Sequence, residues 1–410
     1  MDKASPTIQS VMKLGWQAYE SIHPLPGYVR DAISALLSCR TSALGGHVQG
    51  CPDGHFKRHW YNSCKHRLCP QCAYIQVERW LLKQKARLLG TDHNHIIFTI
   101  PHDLNDIYLL NIKALTNLLF KAVRDTLFDF MEDIKHVGGL PGVISSLHTW
   151  SQTVILHIHI HCLVTSGGLG SDGSWCRPKR DTLLPYKAVM VKFRGKLLDY
   201  IDKAIDKGII QLPVGMGHQK WVNLRNRLGR KVKWNVNFRE RYKHGKGVVT
   251  YLARYLRGGP IANHRIVSCE NDKVTFSYRV NGKQSNKKDF LVLSISQFIQ
   301  RYLLHVPVPR GQNVRYYGLY SPGKKDELEK CRKIFGQLPV KAMEFLTWQE
   351  FCEKQGDEHP ELCPECSKKL IRLDTIPADR RILKPKKTGN SPLKFPLSEG
   401  GIACYDGKVW

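Results

Sequence analysis

The segment Thr153 to Thr165 constrains this chain more than any other. It reads Thr-Val-Ile-Leu-His-Ile-His-Ile-His-Cys-Leu-Val-Thr and is closed by Gly167 and Gly168. A strand sends successive side chains to opposite faces. Ile158, Ile160 and Cys162 therefore face a core, while His157, His159 and His161 share the other face. Neutral imidazole nitrogen is a common metal ligand, so three on one face can hold a divalent cation. A half-solvated strand with polar residues outward is the plainer alternative, and three histidines in five positions argue against it.

The surroundings of this strand read as strand, helix, strand, with further strands later. Residues 7–38 suggest two helical stretches broken between Pro24 and Pro26. Ala73 to Leu89 is helical in pattern, with Gly90 suited to its C-cap. His95 to Ile100 reads as a buried strand ended by Pro101, and Leu104 to Met131 as one long amphipathic helix. Residues 264–293 alternate and contain Asn281-Gly282, a hairpin signal. Ser294 or Ser296 then caps a helix that runs to the region of His305. This order predicts an α+β fold with helices on a sheet.

Charge narrows the partners. The 410 residues include 63 Lys and Arg against 35 Asp and Glu, a net charge of +28, and 42% are hydrophobic, enough to build true cores. Such an imbalance suits a polyanion, because each neutralised phosphate releases condensed counterions. Residues 216–247 concentrate it: Lys220, Arg225, Arg227, Arg230, Lys231, Lys233, Arg239, Arg241, Lys243 and Lys246, with Trp221, Trp234, Phe238 and Tyr242 threaded through. The expectation is a backbone-binding stretch in which Trp221, Trp234 or Phe238 stacks on bases. No run approaches the ~18–20 apolar residues of a membrane span, and the N-terminus lacks the basic-then-apolar order of a signal peptide. A cytoplasmic location is expected, with no membrane partner. No phosphate-binding Gly-x-x-x-x-Gly-Lys-Ser/Thr run is present, so no ATP is expected either.

Thirteen cysteines in a reducing compartment point to metal rather than disulfides. Cys69-Pro-Gln-Cys72 fits half of a tetrahedral zinc site. Its other half could be Cys51 with His55, or Cys51 with Cys64, and Cys39 with His47 leaves room for a second ion. These full thiolate and imidazole sets read as structural zinc, stiffening a small module. Cys363-Pro-Glu-Cys366 is a further half-site, with Cys331, Cys352 and Cys404 as candidate partners.

Val248 to Arg257 is helical in pattern and is stopped by Gly258-Gly259-Pro260. Tyr251 and Tyr255 stand at i and i+4 and share a face, flanked by Arg254 and Arg257. A phenol with a pKa near ~10 is a poor nucleophile until its proton is drawn away. Alone, the pair reads as buried aromatics. Paired with the histidine strand, it reads as two nucleophiles.

Together these segments resemble a known group. Leu156 to Val164 followed by Gly-Gly resembles the His-hydrophobe-His motif of HUH endonucleases. Tyr251-Leu-Ala-Arg-Tyr255, with Ala262-Asn-His-Arg265 after it, resembles the tyrosine helix of rolling-circle insertion-sequence transposases of the insertion-sequence-ninety-one family. Cys39-Arg-Thr, Gly45-Gly-His47, Tyr61-Asn-Ser-Cys64 and Cys69-Pro-Gln-Cys72 resemble that family's N-terminal zinc-binding domain. Phe298-Ile to His305-Val and Arg315-Tyr-Tyr-Gly318 resemble its later segments. The likeness runs from about residue 30 to 375.

The resemblance implies an HUH core, an antiparallel sheet with helices of ferredoxin or RRM type. It adds an N-terminal zinc-binding module and a small cysteine-containing C-terminal region. The expected domains are residues 1–90, 91–310 and 311–410. It makes His159 and His161 the pair holding Mg²⁺ or Mn²⁺, with His157 first and His148 second as third ligand. It makes Tyr251 and Tyr255 the nucleophiles of a single-strand DNA endonuclease and strand transferase. Such an enzyme forms a 5′-phosphotyrosine at element ends and rejoins strands into target DNA. Arg254, Arg257, Lys220, Arg227, Lys231 and Trp234 are then the expected DNA contacts, and the setting is bacterial and nucleoid-associated. The resemblance implies a second cysteine where Gly54 stands, as in many relatives, so His55 would substitute for it. A replication initiator or relaxase shares the chemistry, and a non-catalytic zinc-dependent DNA-binding relative lacks it.

Overall fold

The computed structural model describes residues 5–242, 259–280, 287–340, 347, 349–350 and 359–379. From the N-terminus, α1 (Ile8–Ile22) and α2 (Gly27–Ser38) lead into the hairpin of β1 (Gly46–Gly50) and β2 (Lys57–Tyr61), then α3 (Pro70–Arg87). Next come β3 (His93–Thr99), α4 (Asn105–Leu110), α5 (Ile112–Met131), β4 (Gly142–Trp150) and β5 (Leu156–Thr165). A short hairpin pairs β6 (Gly168–Leu169) with β7 (Trp175–Cys176). Then follow α6 (Tyr186–Asp206), α7 (His218–Arg230) and β8 (Asn235–Tyr242). A three-stranded meander of β9 (Ile266–Glu270), β10 (Lys273–Arg279) and β11 (Lys288–Ser294) precedes α8 (Ile295–Leu303). The last described elements are β12 (Val314–Gly318), α9 (Lys325–Ile334) and β13 (Ile371–Ile376).

The central sheet has five strands in the order β12-β4-β5-β3-β8, each antiparallel to its neighbour. Alternation sorts its two faces. Ile96, Phe98, Leu147, Ile158, Ile160, Cys162 and Val164 point to one side. They meet Leu115, Leu119, Phe120, Val123, Phe193 and Leu197 of α5 and α6 in a closed core. Phe98 packs edge-to-face on Phe193 with ring centroids 5.0 Å apart. Each such side chain contributes about 1.5–3 kcal/mol through burial. The α+β class expected from the sequence is the one observed.

Two differences have local causes. The helix expected over 104–131 is divided at Asn111. Its amide donates to the carbonyls of Ile107 (2.9 Å) and Gln211 (2.7 Å) and accepts from the Gln211 N–H (2.9 Å). A side chain that bonds backbone this way competes with the helix ladder. The strand expected from Thr153 starts only at Leu156, because Val154 has φ of +61° and sits in a turn. A β-branched residue is strained there. Val154 is fully buried, and its carbonyl meets His305 Nε2 at 3.1 Å.

A second core joins distant parts of the chain. α1 and α8 each begin with a reciprocal capping box, at Thr7 with Ser10 and at Ser294 with Gln297. Ile8, Val11, Met12 and Trp16 of α1 pack with α2 and with Ile295, Phe298 and Ile299 of α8. Gly15 permits the approach, since a Cβ there would lie 2.2 Å from Ile295 Cγ2. β13 pairs with β1 in a sheet ordered β13-β1-β2, and β12 lies in the central sheet. The boundaries drawn at residues 90 and 310 therefore do not follow the cores and sheets.

Candidate metal centre

The face of the central sheet opposite the α5–α6 core carries the histidines. In the antiparallel register His159 stands between Thr99 of β3 and His148 of β4, and His161 stands between Ile97 and Ser146. One ligand atom from each of His148, His159 and His161 lies within 4.8 Å of the others. All three rings are buried, at 1%, 9% and 3% exposure. Burial holds His148 and His161 well below the usual imidazole range and takes His159 to about 3. All three are neutral at pH 7, the form that binds a metal.

Neighbouring groups fix the rings. His159 Nδ1 lies 2.7 Å from the carbonyl of His157. That nitrogen must donate, so Nε2 keeps its lone pair for an ion. His95 Nε2 lies 2.8 Å from His161 Nδ1, with the two rings stacked. Trp150 stacks on His148 at 5.6 Å and meets His305 at 5.9 Å. Arg239 of β8 adds positive charge and helps, after burial, to depress both His95 and His161.

The third position differs from the expectation. His157 shares the face, but its Nδ1 is 3.0 Å from His102 Nε2 at the strand's end, and His148 completes the group instead. The reason is register: His148 is directly opposite His159 on the neighbouring strand and lies beside both rings, its centroid 5.3 Å from that of His159 and 4.2 Å from that of His161, whereas His157 lies beyond His159 from His161 along β5. His95 and His102 were not singled out from the sequence. His95 shares a strand with Ile97 and Thr99 and so shares their face, a signal readable once strand pairing is known.

The cysteines form two groups. Cys39 at the end of α2, Cys64, and Cys69 and Cys72 at the start of α3 converge within 4.8 Å. Sulfur–sulfur distances are 3.4 Å for Cys39–Cys72, 3.6 Å for Cys64–Cys72 and 3.7 Å for Cys39–Cys69. Hydrogen bonding from Cys39 first, then Cys64 and Cys69, holds Cys72 far below the usual thiol range. Cys39 falls to about 7 through Cys64 and Cys69, while Cys64 and Cys69 are pushed up, in both cases first by Cys39. Four thiols with some readily deprotonated suit zinc. Cys51 and His55 do not complete this group, as one expectation had it. They lie with Cys363 and Cys366. His47, on β1, is in neither group among the described residues.

The tryptophans of the basic stretch are structural, while most of its described lysines and arginines are exposed. Trp234 is 1% exposed and donates its indole N–H to the Leu228 carbonyl at 2.9 Å, so its ring is not open to a base. Trp221 is 2% exposed and donates to Asp202 at 2.9 Å. Trp221, Leu224 and Leu228 recur at helical spacing along α7, and that stripe marks burial. Lys220 and Lys231 remain exposed, Lys220 donating to the Gly215 carbonyl at 2.9 Å, and Arg227 pairs with Asp103. Tyr251, Arg254, Tyr255 and Arg257 lie outside the described residues. Among the described residues no helix is long and apolar enough to cross a membrane.

Comparison with known proteins places this arrangement. Residues 142–327 match the family model described as "Putative transposase", and residues 11–100 match the "Transposase zinc-binding domain". The protein of Sinorhizobium fredii named "Putative transposase y4qJ" is 31% identical over 383 residues, 89% of this chain and 94% of that one. The chain belongs to the insertion-sequence-ninety-one (IS91) family of transposases. The transposase for insertion sequence element IS801 of Pseudomonas savastanoi pv. phaseolicola is 27% identical over 325 residues, 77% of this chain and 73% of that protein. In this transposase the zinc-binding match contains Cys39, Cys64, Cys69 and Cys72, and the other match contains His148, His159 and His161.

Proposed function

We propose that this transposase cuts and rejoins single-stranded DNA at element ends by transesterification through a 5′-phosphotyrosine. The observation that carries the reading is the trio His148, His159 and His161, buried, neutral and convergent on a rigid sheet. The donor set fits a divalent ion, Mg²⁺ or Mn²⁺, and nitrogen donors suit Mn²⁺ better because Mg²⁺ seeks oxygen. Bound there, the ion would polarise non-bridging oxygens of the scissile phosphate and offset charge in the transition state. Neutral ligands leave its full charge available. No carboxylate joins the group among the described residues.

Tyr251 or Tyr255 serves as nucleophile. The phenolate oxygen attacks phosphorus, the bond to the 3′ oxygen breaks, and the departing strand leaves as a 3′-hydroxyl. The phosphotyrosine keeps the bond energy, so rejoining needs no ATP. The second tyrosine takes the next strand while the first is still linked. Arg239, beside His95 and His161, supplies positive charge for the backbone phosphate. Exposed Lys220 and Lys231 extend the basic surface along α7. Cys39, Cys64, Cys69 and Cys72 hold a structural zinc ion that orders the N-terminal module.

Incubation with single-stranded DNA carrying an element end tests this reading. A covalent protein–DNA adduct is expected with Mn²⁺ or Mg²⁺ and is lost with chelator or in the Tyr251→Phe, Tyr255→Phe double variant. Salt-sensitive binding with no adduct under any condition contradicts it.

A further inference from the structure

We infer that Cys51, His55, Cys363 and Cys366 form a second zinc site, which clamps the C-terminal segment 359–379 onto the β1–β2 hairpin. The inference stands apart from the reading of the histidine centre. One ligand atom from each of the four residues lies within 4.8 Å of the others. Cys51 Sγ is 3.5 Å from Cys366 Sγ and 3.8 Å from His55 Nδ1. A tetrahedral site with zinc–sulfur bonds of about 2.3 Å has ligand–ligand edges of about 3.8 Å. A disulfide would need about 2.0 Å, and these cysteines are free.

Both halves are shaped as tight turns. The Cys51 N–H donates to the Phe56 carbonyl (2.8 Å) and the Gly54 N–H to the Cys51 carbonyl (3.0 Å), with Gly54 at φ +79°. In the facing loop the Cys363 N–H donates to the Lys368 carbonyl (2.8 Å) and the Ser367 N–H to the Cys363 carbonyl (2.9 Å). Lys368 pairs with Asp53 across the join at 2.7 Å.

Among the described residues little buried apolar surface holds the segment, and that is what a metal would supply. The buried cluster here is Cys51, Cys363 and Leu370, and two of those three are ligands. β13 pairs with β1, yet Ile371 to Thr375 are exposed, including the apolar Ile371 and Leu373. Backbone pairing without apolar cover does not offset the entropy of ordering such a strand. Cys363 and Cys366 also fall outside both family matches, which end at residues 100 and 327. The zinc-binding module of this chain is therefore completed by its far end.

The test uses full-length protein carrying His159→Ala and His161→Ala, so that the histidine centre takes up no ion. Elemental analysis is expected to find two zinc ions per chain, falling to one in the added Cys363→Ser, Cys366→Ser variant. Hydrogen exchange then accelerates at 371–376 and 46–50, while peptides of 70–87 keep their protection. His55→Cys retains both ions, and in the cobalt-substituted protein, whose spectrum sums a four-sulfur site and a three-sulfur, one-nitrogen site, it turns the second contribution into another four-sulfur one. One zinc ion per chain, unchanged by Cys363→Ser and Cys366→Ser, overturns the site. Loss of the second ion with unaltered exchange at 371–376 overturns the clamp.

Discussion

The four sulfurs of Cys39, Cys64, Cys69 and Cys72 come from three separate stretches of chain: the end of α2, a loop and the start of α3. His148, His159 and His161 come from two neighbouring strands that a backbone ladder already holds in register. The first group joins a helix end, a loop and a helix start, and its thiolates would cancel an ion's charge. The second group rests on a sheet whose other face is a closed core, and its neutral rings leave an ion's charge intact. The contrast teaches what each ion would be for. Removing a metal from the sulfurs should cost structure, and removing one from the imidazoles should cost chemistry.

The largest effect expected is on the sulfur side. Cys69→Ser with Cys72→Ser should remove one zinc ion and unfold the region of α2 and α3. Zinc binding at such sites is worth on the order of 10 kcal/mol, comparable to the stability of a whole domain. Thermal melts of the variant, and of wild type with and without chelator, measure it. An unchanged melting temperature would break the comparison.

Phe98→Ala comes next, at about 3–5 kcal/mol by urea denaturation, because it opens a cavity beneath the histidine sheet. Its effect should be the same with or without added Mn²⁺ if the sheet stands without the ion.

His159→Ala with His161→Ala should shift the opposite quantity. Adduct formation is expected to fall at least about 100-fold, with a much smaller change in melting temperature than the cysteine pair gives. His95→Gln should weaken Mn²⁺ binding by about 10- to 100-fold, since His95 orients His161 from behind. Calorimetric titration with Mn²⁺ reads this.

The smallest effect concerns acid. Burial takes His305 to about 4, below its unfolded value near 6.5. Its contribution is present above pH 6.5 and is lost as pH falls through the folded value, because the unfolded chain binds the proton first. Between pH 6.5 and 5.5 this amounts to about 1 kcal/mol. His305→Gln should flatten the fall in stability over that interval by this amount in urea titrations at the two pH values.

What the sequence made legible was local. Period-two alternation placed His159 and His161 on one face and Ile158, Ile160 and Cys162 in the core. The spacing of Cys69 and Cys72 announced a metal knuckle. Illegible was whatever depends on which strands and loops meet. His148 replaced His157 as third member because of cross-strand register, which no window of sequence contains. Cys51 and His55 found Cys363 and Cys366 rather than Cys69 and Cys72 because β13 returns to pair with β1. Trp234 was read as a stacking platform from its basic neighbours, yet it fills the core beside Phe193, ring centroids 5.6 Å apart.

The most direct test of the histidine centre counts its nitrogen ligands. Electron spin-echo spectroscopy of the Mn²⁺-loaded protein should show three imidazole nitrogens, falling to two in His148→Ala and staying at three in His157→Ala. Loss of a nitrogen in His157→Ala with none lost in His148→Ala would contradict the assignment.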